Sequence, residues 1–136
     1  MTGDEPGAQS RDGKRTHGYR ELMVWQKGMT LAKQVYEITA GFPETEKFGL
    51  VAQMRRSAVS VPSNIAEGQA RHTTREFIQF VSHAEGSVAE LDTQMTLATE
   101  LGYCQPERAA DAFELLTALK RMLNALRRRL SQRNDQ

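Results

Sequence analysis

Phe77, Val81, Ala84, Val88, Leu91, Met95 and Ala98 recur at alternating four- and three-residue steps. Residues spaced this way share one side only on a helix; on a strand they would scatter over both faces. Thr73 and Glu76 precede the row in the T-x-x-E pattern of a capping box, and Gly102 follows it as a C-terminal stop. The chain must therefore build a long helix with an apolar seam, and such a helix needs partners to bury it.

The rest of the sequence supplies those partners. Leu22, Trp25, Met29, Ala32, Tyr36 and Thr39 keep a three-four spacing from Tyr19 onward, which predicts a first helix ended by Gly41 and Pro43. A second helix is expected from about Glu44 to Gln69, with Leu50, Met54, Ala58, Val61 and Ile65 as its seam. Pro62 falls inside it and predicts a kink; the alternative is a split into two helices. Pro106 opens a fourth helix at a favoured first-turn position, and Ala112, Leu116, Leu119, Leu123, Leu126 and Leu130 form its seam. No segment alternates like a strand. The expected fold is all-α, an antiparallel up-down-up-down four-helix bundle over residues 19–131. Residues 1–18 hold almost no apolar side chain and read as a disordered tail, with 132–136 as a disordered C-terminus. Arg11, Lys14, Arg15 and Arg20 make that tail either a solvated leader or a basic arm.

The apolar faces are wide. Leu31, Val35 and Ile38 add to the first helix, Phe80 and Leu101 to the third, and Phe113, Leu115 and Met122 to the fourth. Two readings follow: a broad core, or a second surface covered by another copy of the chain. The second helix has a further stripe, turned about 100° from its seam, made of Gln53, Arg56, Ser57, Ser60, Asn64 and Glu67. Short amides and hydroxyls replace the long solvated Lys and Glu of an ordinary outer face, so this stripe suits contact with something other than water.

Charge is balanced overall, at +1 for 136 residues, but unevenly distributed. From Glu85 to Glu114 every charged residue except Arg108 is acidic, whereas from Lys120 to Arg133 all are basic. Cations near a helix C-terminus stabilise it, which accounts for one or two of them. Three consecutive arginines, Arg127, Arg128 and Arg129, exceed that need and point to phosphate, as do Arg55, Arg56, Arg71 and Arg75 around the second helix.

The sequence carries no recognisable catalytic or metal-binding pattern. No Glu is followed three positions later by His, as di-iron bundles require, and His17, His72 and His83 lack ligand spacing. The single cysteine, Cys104, has no cysteine partner for a disulfide or a structural zinc site and reads as a semi-buried thiol rather than a nucleophile. No Gly-rich phosphate loop is present. Gly86, with Ala84, Ser87 and Ala89, is expected to let a neighbouring helix approach closely. No cofactor, metal or catalytic residue is expected. The lone cysteine, the absence of a leader pattern and the absence of a run near the roughly 20 apolar residues of a membrane span suggest a cytoplasmic protein.

The motifs L-x-x-W-Q-K from Leu22, F-P-x-x-E from Phe42, Q-x-R-R from Gln53 and S-x-x-x-N-I-A-E-G from Ser60 to Gly68 occur in that order. Glu76-Phe77, Ala84-x-Gly86-Ser87 and Glu90-Leu91 follow. Together they resemble the small bacterial proteins encoded within intervening sequences of 23S ribosomal RNA genes, sometimes labelled ribosomal protein-like. The resemblance spans about Tyr19 to Leu130. It implies a four-helix protomer assembling into a ring of five, and a distant relationship to accessory proteins of diversity-generating retroelements, which bind nucleic acid and a reverse transcriptase. It brings no catalytic residues. It also singles out Gln53, Arg56, Ser60, Asn64, Glu67 and Gly68 as family-motif positions, facing either a neighbouring subunit or a central channel.

Three functions remain in play at this point. The preferred one is a non-enzymatic homo-oligomer, a pentamer by resemblance, that binds RNA or DNA. The second is an interaction module whose apolar faces serve assembly alone, with a reverse transcriptase or other protein as partner. The third is a small-molecule or catalytic role for Glu85, Asp92 and His83.

Overall fold

The computed structural model describes residues 18–134. Four helices make up nearly all of it: α1 (Met23–Thr39), α2 (Leu50–Gln69), α3 (Thr74–Glu100) and α4 (Pro106–Asn134), with no strand among the described residues. The tail assigned to 1–18 lies outside the described residues except for Gly18. At the other end α4 runs to Asn134, so residues 132–134 extend it past the expected boundary at 131, while 135 and 136 lie outside the described residues.

The helices enclose one core in which α1 touches α2 and α4, α2 touches α3, and α3 touches α4. Partner numbers fall on α3 as they rise on α2: Ser57 meets Glu90 at 3.4 Å and Ser60 meets Ser87 at 2.7 Å. Between α3 and α4 the pairs Glu85–Arg127 and Asp92–Lys120 follow the same rule.

The seams expected on α2, α3 and α4 are buried, apart from Phe77 at the start of α3, which is half-buried. The seam of α1 is different. Val24, Leu31, Val35 and Ile38 face the core with Ala32 and Thr39, whereas Leu22, Trp25 and Met29 are half-buried and Tyr36 is 45 % exposed. The residues read as surplus are therefore the core, and most of the assigned seam is the surplus. Both rows fit a 3.6-residue period, and packing against α2 and α4 decides between them.

Helix starts also move. Tyr19–Glu21 form a single 3-10 turn rather than the first turn of α1, held by Gln26 Nε2 donating to the Arg20 carbonyl at 2.9 Å. The Tyr19 ring lies 5.3 Å from that of Trp25. Glu44–Glu46 likewise form a 3-10 turn, and α2 begins at Leu50. Gly49, its N-cap, offers no side chain. The Glu46 carboxylate takes that place: Oε1 accepts from the Leu50 amide at 3.1 Å, and Oε2 accepts from the Tyr103 hydroxyl at 2.9 Å. One carboxylate thus caps α2 and ties the α1–α2 connection to the α3–α4 connection, where Phe42 and Tyr103 also stack at 5.6 Å.

Helix α2 continues as one element through Pro62, so the split reading fails. The caps of α3 match expectation. Thr73 Oγ1 accepts from the Glu76 amide at 3.1 Å, and Gly102 adopts φ +80° after the last turn. The Gly102 amide donates to the Thr99 carbonyl and that of Tyr103 to Ala98, the paired bonds of a Schellman motif. Gly86 does not serve a helix contact within the chain: it is exposed, and a Cβ there would meet nothing within 4 Å. Gly68 does so instead. Its added Cβ would lie 2.7 Å from Phe77 Cδ1 and 2.9 Å from Phe80 Cβ, so the start of α3 packs directly on α2 there.

Candidate nucleic-acid interface

The four-residue turn between α2 and α3 brings Arg71 and His72 to one end of the molecule. The last two turns of α4 end beside it. Together they surround a hollow of 650 Å³ whose rim carries Arg71, His72, Arg129 and Arg133, with Gln69, Thr73 and Thr74 between them. Its apolar floor is the less exposed part of the lining, buried Leu126 and Leu130 with half-buried Leu22 and Phe77. Arginines separated by nearly half the chain thus share one site. The guanidinium of Arg71 is steadied over the Phe80 ring, 4.6 Å from its centroid. Among the described residues, none of Arg71, Arg129 and Arg133 has a carboxylate within 4.0 Å. The α3 N-terminus also opens here, adding its positive dipole end to the rim.

The other candidate arginines are placed differently. Arg75 and Arg128 are exposed on the surface of α3 and α4, outside the residues lining this hollow. Arg127 is engaged: Nε donates to Glu85 Oε1 at 2.9 Å and Nη2 to Asn124 Oδ1 at 2.7 Å. Arg55 is engaged too, donating from Nε to Thr39 Oγ1 at 2.9 Å and from Nη2 to the Tyr36 carbonyl at 3.3 Å, while lying over the Tyr36 ring. It ties α2 to the C-terminal turn of α1, where a cation is favoured by the negative end of the helix dipole. Arg56 is exposed at a cleft of 260 Å³ with Gln53, Ser57, Ser60, Glu90 and Gln94.

The polar stripe of α2 divides in two. Ser57 and Ser60 turn toward α3, where Ser57 Oγ donates to Glu90 and the Ser60 and Ser87 hydroxyls bond, while Asn64 Nδ2 donates back along α2 to the Ser60 carbonyl and hydroxyl at 2.8 and 2.9 Å. Gln53, Arg56 and Glu67 are exposed, and Gly68 is buried against the aromatic start of α3. Half of the stripe is therefore spent inside the chain, with Ser57 and Ser60 fixing the register of α2 on α3 and Asn64 bracing Ser60.

Glu85 and Asp92 each pair with a base on α4, at 2.9 Å to Arg127 and 2.6 Å to Lys120, and His83 is exposed with its ring edge on Phe80. These three do not converge. Among the described residues no cluster of His, Cys, Asp or Glu is arranged to hold a metal ion. Burial pushes the Cys104 thiol above its ordinary pKa, with Arg108 opposing in part, so the thiolate is disfavoured. No described helix is long and apolar enough to cross a membrane.

His72, Arg133 and the apolar floor were not among the candidates drawn from sequence. The available signal was the register of α4 on α3, which sets the last turns of one beside the first turn of the other.

Four helices about a single core, with an arginine-rimmed hollow at one end, define an all-α protein. Over residues 20–125 the chain matches the 23S rRNA-intervening sequence protein family, and it belongs to that family. No curated protein matches the chain. The family match stops before Arg127, so Arg129 and Arg133 lie beyond it while Arg71 lies within.

Proposed function

We propose that this chain is a non-enzymatic, self-assembling antiparallel four-helix bundle that binds RNA through its arginine-rimmed end. The single observation behind the RNA reading is the convergence of Arg71, Arg129 and Arg133, with His72, on one hollow. Guanidinium groups without carboxylate partners bind phosphate oxygens in bidentate fashion. Arg75 and Arg128 extend the same positive field over the adjoining surface, and Arg56 offers a separate exposed contact. Arg55 and Arg127, with their donors engaged, stabilise the scaffold. The descending partner numbers across α2–α3 and α3–α4 support the up-down-up-down arrangement.

Self-assembly has its own support. Tyr36 is 45 % and Val59 43 % exposed, and they share a shallow surface with Ala52 and the stem of Arg55. Trp25 and Met29 continue the half-buried apolar row along α1. An apolar face of this kind is what a second copy would cover. Five copies in a ring is the arrangement the family resemblance implies.

Sedimentation of the full chain, followed by titration with a short RNA at low and moderate salt, tests both parts. The expected result is a discrete oligomer whose RNA affinity falls steeply as salt rises. A lone protomer would overturn the assembly. An oligomer indifferent to RNA would favour the second reading, an interaction module using the Tyr36–Val59 face alone.

A further inference from the structure

We infer that the hollow receives an unpaired nucleotide, with its phosphate on the arginine rim and its base against Phe77, so that the protein prefers single-stranded RNA to duplex. The inference rests on the RNA reading above and adds the form of RNA that the site takes.

A site for phosphates alone needs only a positive surface. This one combines exposed Arg71, His72, Arg129 and Arg133 with an apolar lining of half-buried Leu22 and Phe77 and buried Leu126 and Leu130. Its 650 Å³ falls inside the roughly 300–1,000 Å³ of small-ligand sites, large enough for a nucleotide. A duplex offers its phosphates but keeps its bases stacked inward, leaving the floor wet. An unpaired nucleotide presents both parts, an anion and a flat π-face, and single-stranded RNA is commonly held by this combination of cationic groove and aromatic platform. Phe77 is half-buried, packed on Gly68 and part of the lining of the hollow, so an aromatic ring is already at the site. Gly68 makes that position possible, because a side chain there would strike the Phe77 ring. Gln69, Thr73 and Thr74 supply uncharged donors and acceptors for base edges and ribose.

The test uses the full chain and three fluorescently labelled RNAs of equal length: an unstructured single strand, the same strand carrying abasic ribose at its centre, and a blunt duplex. At fixed low salt the single strand should bind roughly tenfold more tightly than the abasic strand, the scale of a base stacked on an aromatic ring. The duplex should fall with the abasic strand. Phe77→Leu should bring the intact strand down to the abasic level, whereas Arg129→Ala should weaken all three ligands alike. Phe77 also packs on α2, so circular dichroism must show the Leu variant folded; if it is not, the three ligands on the unaltered protein decide the matter. Equal affinity for all three would overturn the inference and leave RNA binding standing. Failure of every ligand to bind would overturn both.

Discussion

Two glycines on α2 and α1 look alike in the sequence, yet their surroundings give opposite consequences for the same change. At Gly68 an added methyl would sit 2.7 Å from Phe77 Cδ1 and 2.9 Å from Phe80 Cβ, closer than carbon atoms tolerate. Relief requires Phe77 to leave its place, and overpacking of this kind costs about 1–3 kcal/mol. The better helix propensity of Ala returns at most about 1 kcal/mol, so Gly68→Ala should lower stability by up to about 2 kcal/mol after that return. At Gly28 the nearest atom would be Val61 Cγ1 at 3.4 Å, an ordinary contact. Gly28→Ala should be neutral or stabilise by up to about 1 kcal/mol. Denaturant titration of both variants should show midpoints moving in opposite senses, and a parallel loss would mean that α1 and α2 sit closer than the structure places them. The N-I-A-E-G motif made Gly68 legible as a marked position. What it is for became visible only with Phe77 and Phe80 packed against it.

The helices themselves were readable in proportion to how one-sided they are. On α3 and α4 the buried row is the expected one, with Phe77 half-buried at its start, while Phe80, Phe113, Leu115 and Met122 stay half-buried beside it. On α1, apolar residues occupy two adjacent rows, and periodicity cannot say which one meets α2 and α4. The start of α2 was missed for another reason. Its cap comes from Glu46, outside the local N-cap pattern, and is held in place by Tyr103 from the α3–α4 connection. That long-range tie has a pH signature. The hydrogen bond to Glu46, then burial, then the Glu46 charge raise the Tyr103 pKa above its ordinary 10.0. Burial raises Cys104 above 9.0, with Arg108 opposing in part. For both groups the folded state holds the proton more tightly than the unfolded chain. Their contribution is therefore complete below the unfolded values and is lost as pH rises through the folded ones. Stability should be level through neutral pH with respect to these groups and decline from about pH 9 upward. Tyr103→Phe should lower stability at neutral pH and make the alkaline decline shallower, measured by thermal unfolding between pH 7 and 11. An unchanged alkaline slope in Tyr103→Phe would show that the hydroxyl–carboxylate bond is not formed in solution.

Across the whole molecule a formal charge of +1 conceals an axis. Arg71, Arg75, Arg128, Arg129 and Arg133 gather where the α2–α3 turn meets the end of α4. Glu44, Glu46, Glu100 and Glu107 lie toward the other end, where Tyr103 reaches Glu46 and Arg108 reaches the Glu37 carbonyl at 3.4 Å. The charge runs in the sequence suggested such a separation, but only the packing of α4 beside α3, which brings its end to the α2–α3 turn, decides which arginines act together. Salt dependence reads that grouping directly. Each phosphate neutralised on a single strand contributes about 0.7 to the slope of log affinity against log salt. Replacing Arg71 and Arg129 together by Ala should therefore flatten the slope by about 1.4 on an RNA short enough to fill one hollow. Arg55→Ala is the matched control: its guanidinium is spent on Thr39 and Tyr36, so the slope should hold while the protein loses stability through the lost tie between α1 and α2. A slope that drops equally for Arg55→Ala would place phosphate on the α1–α2 side of the molecule, and the arginine-rimmed end would then have to be given up as the binding site.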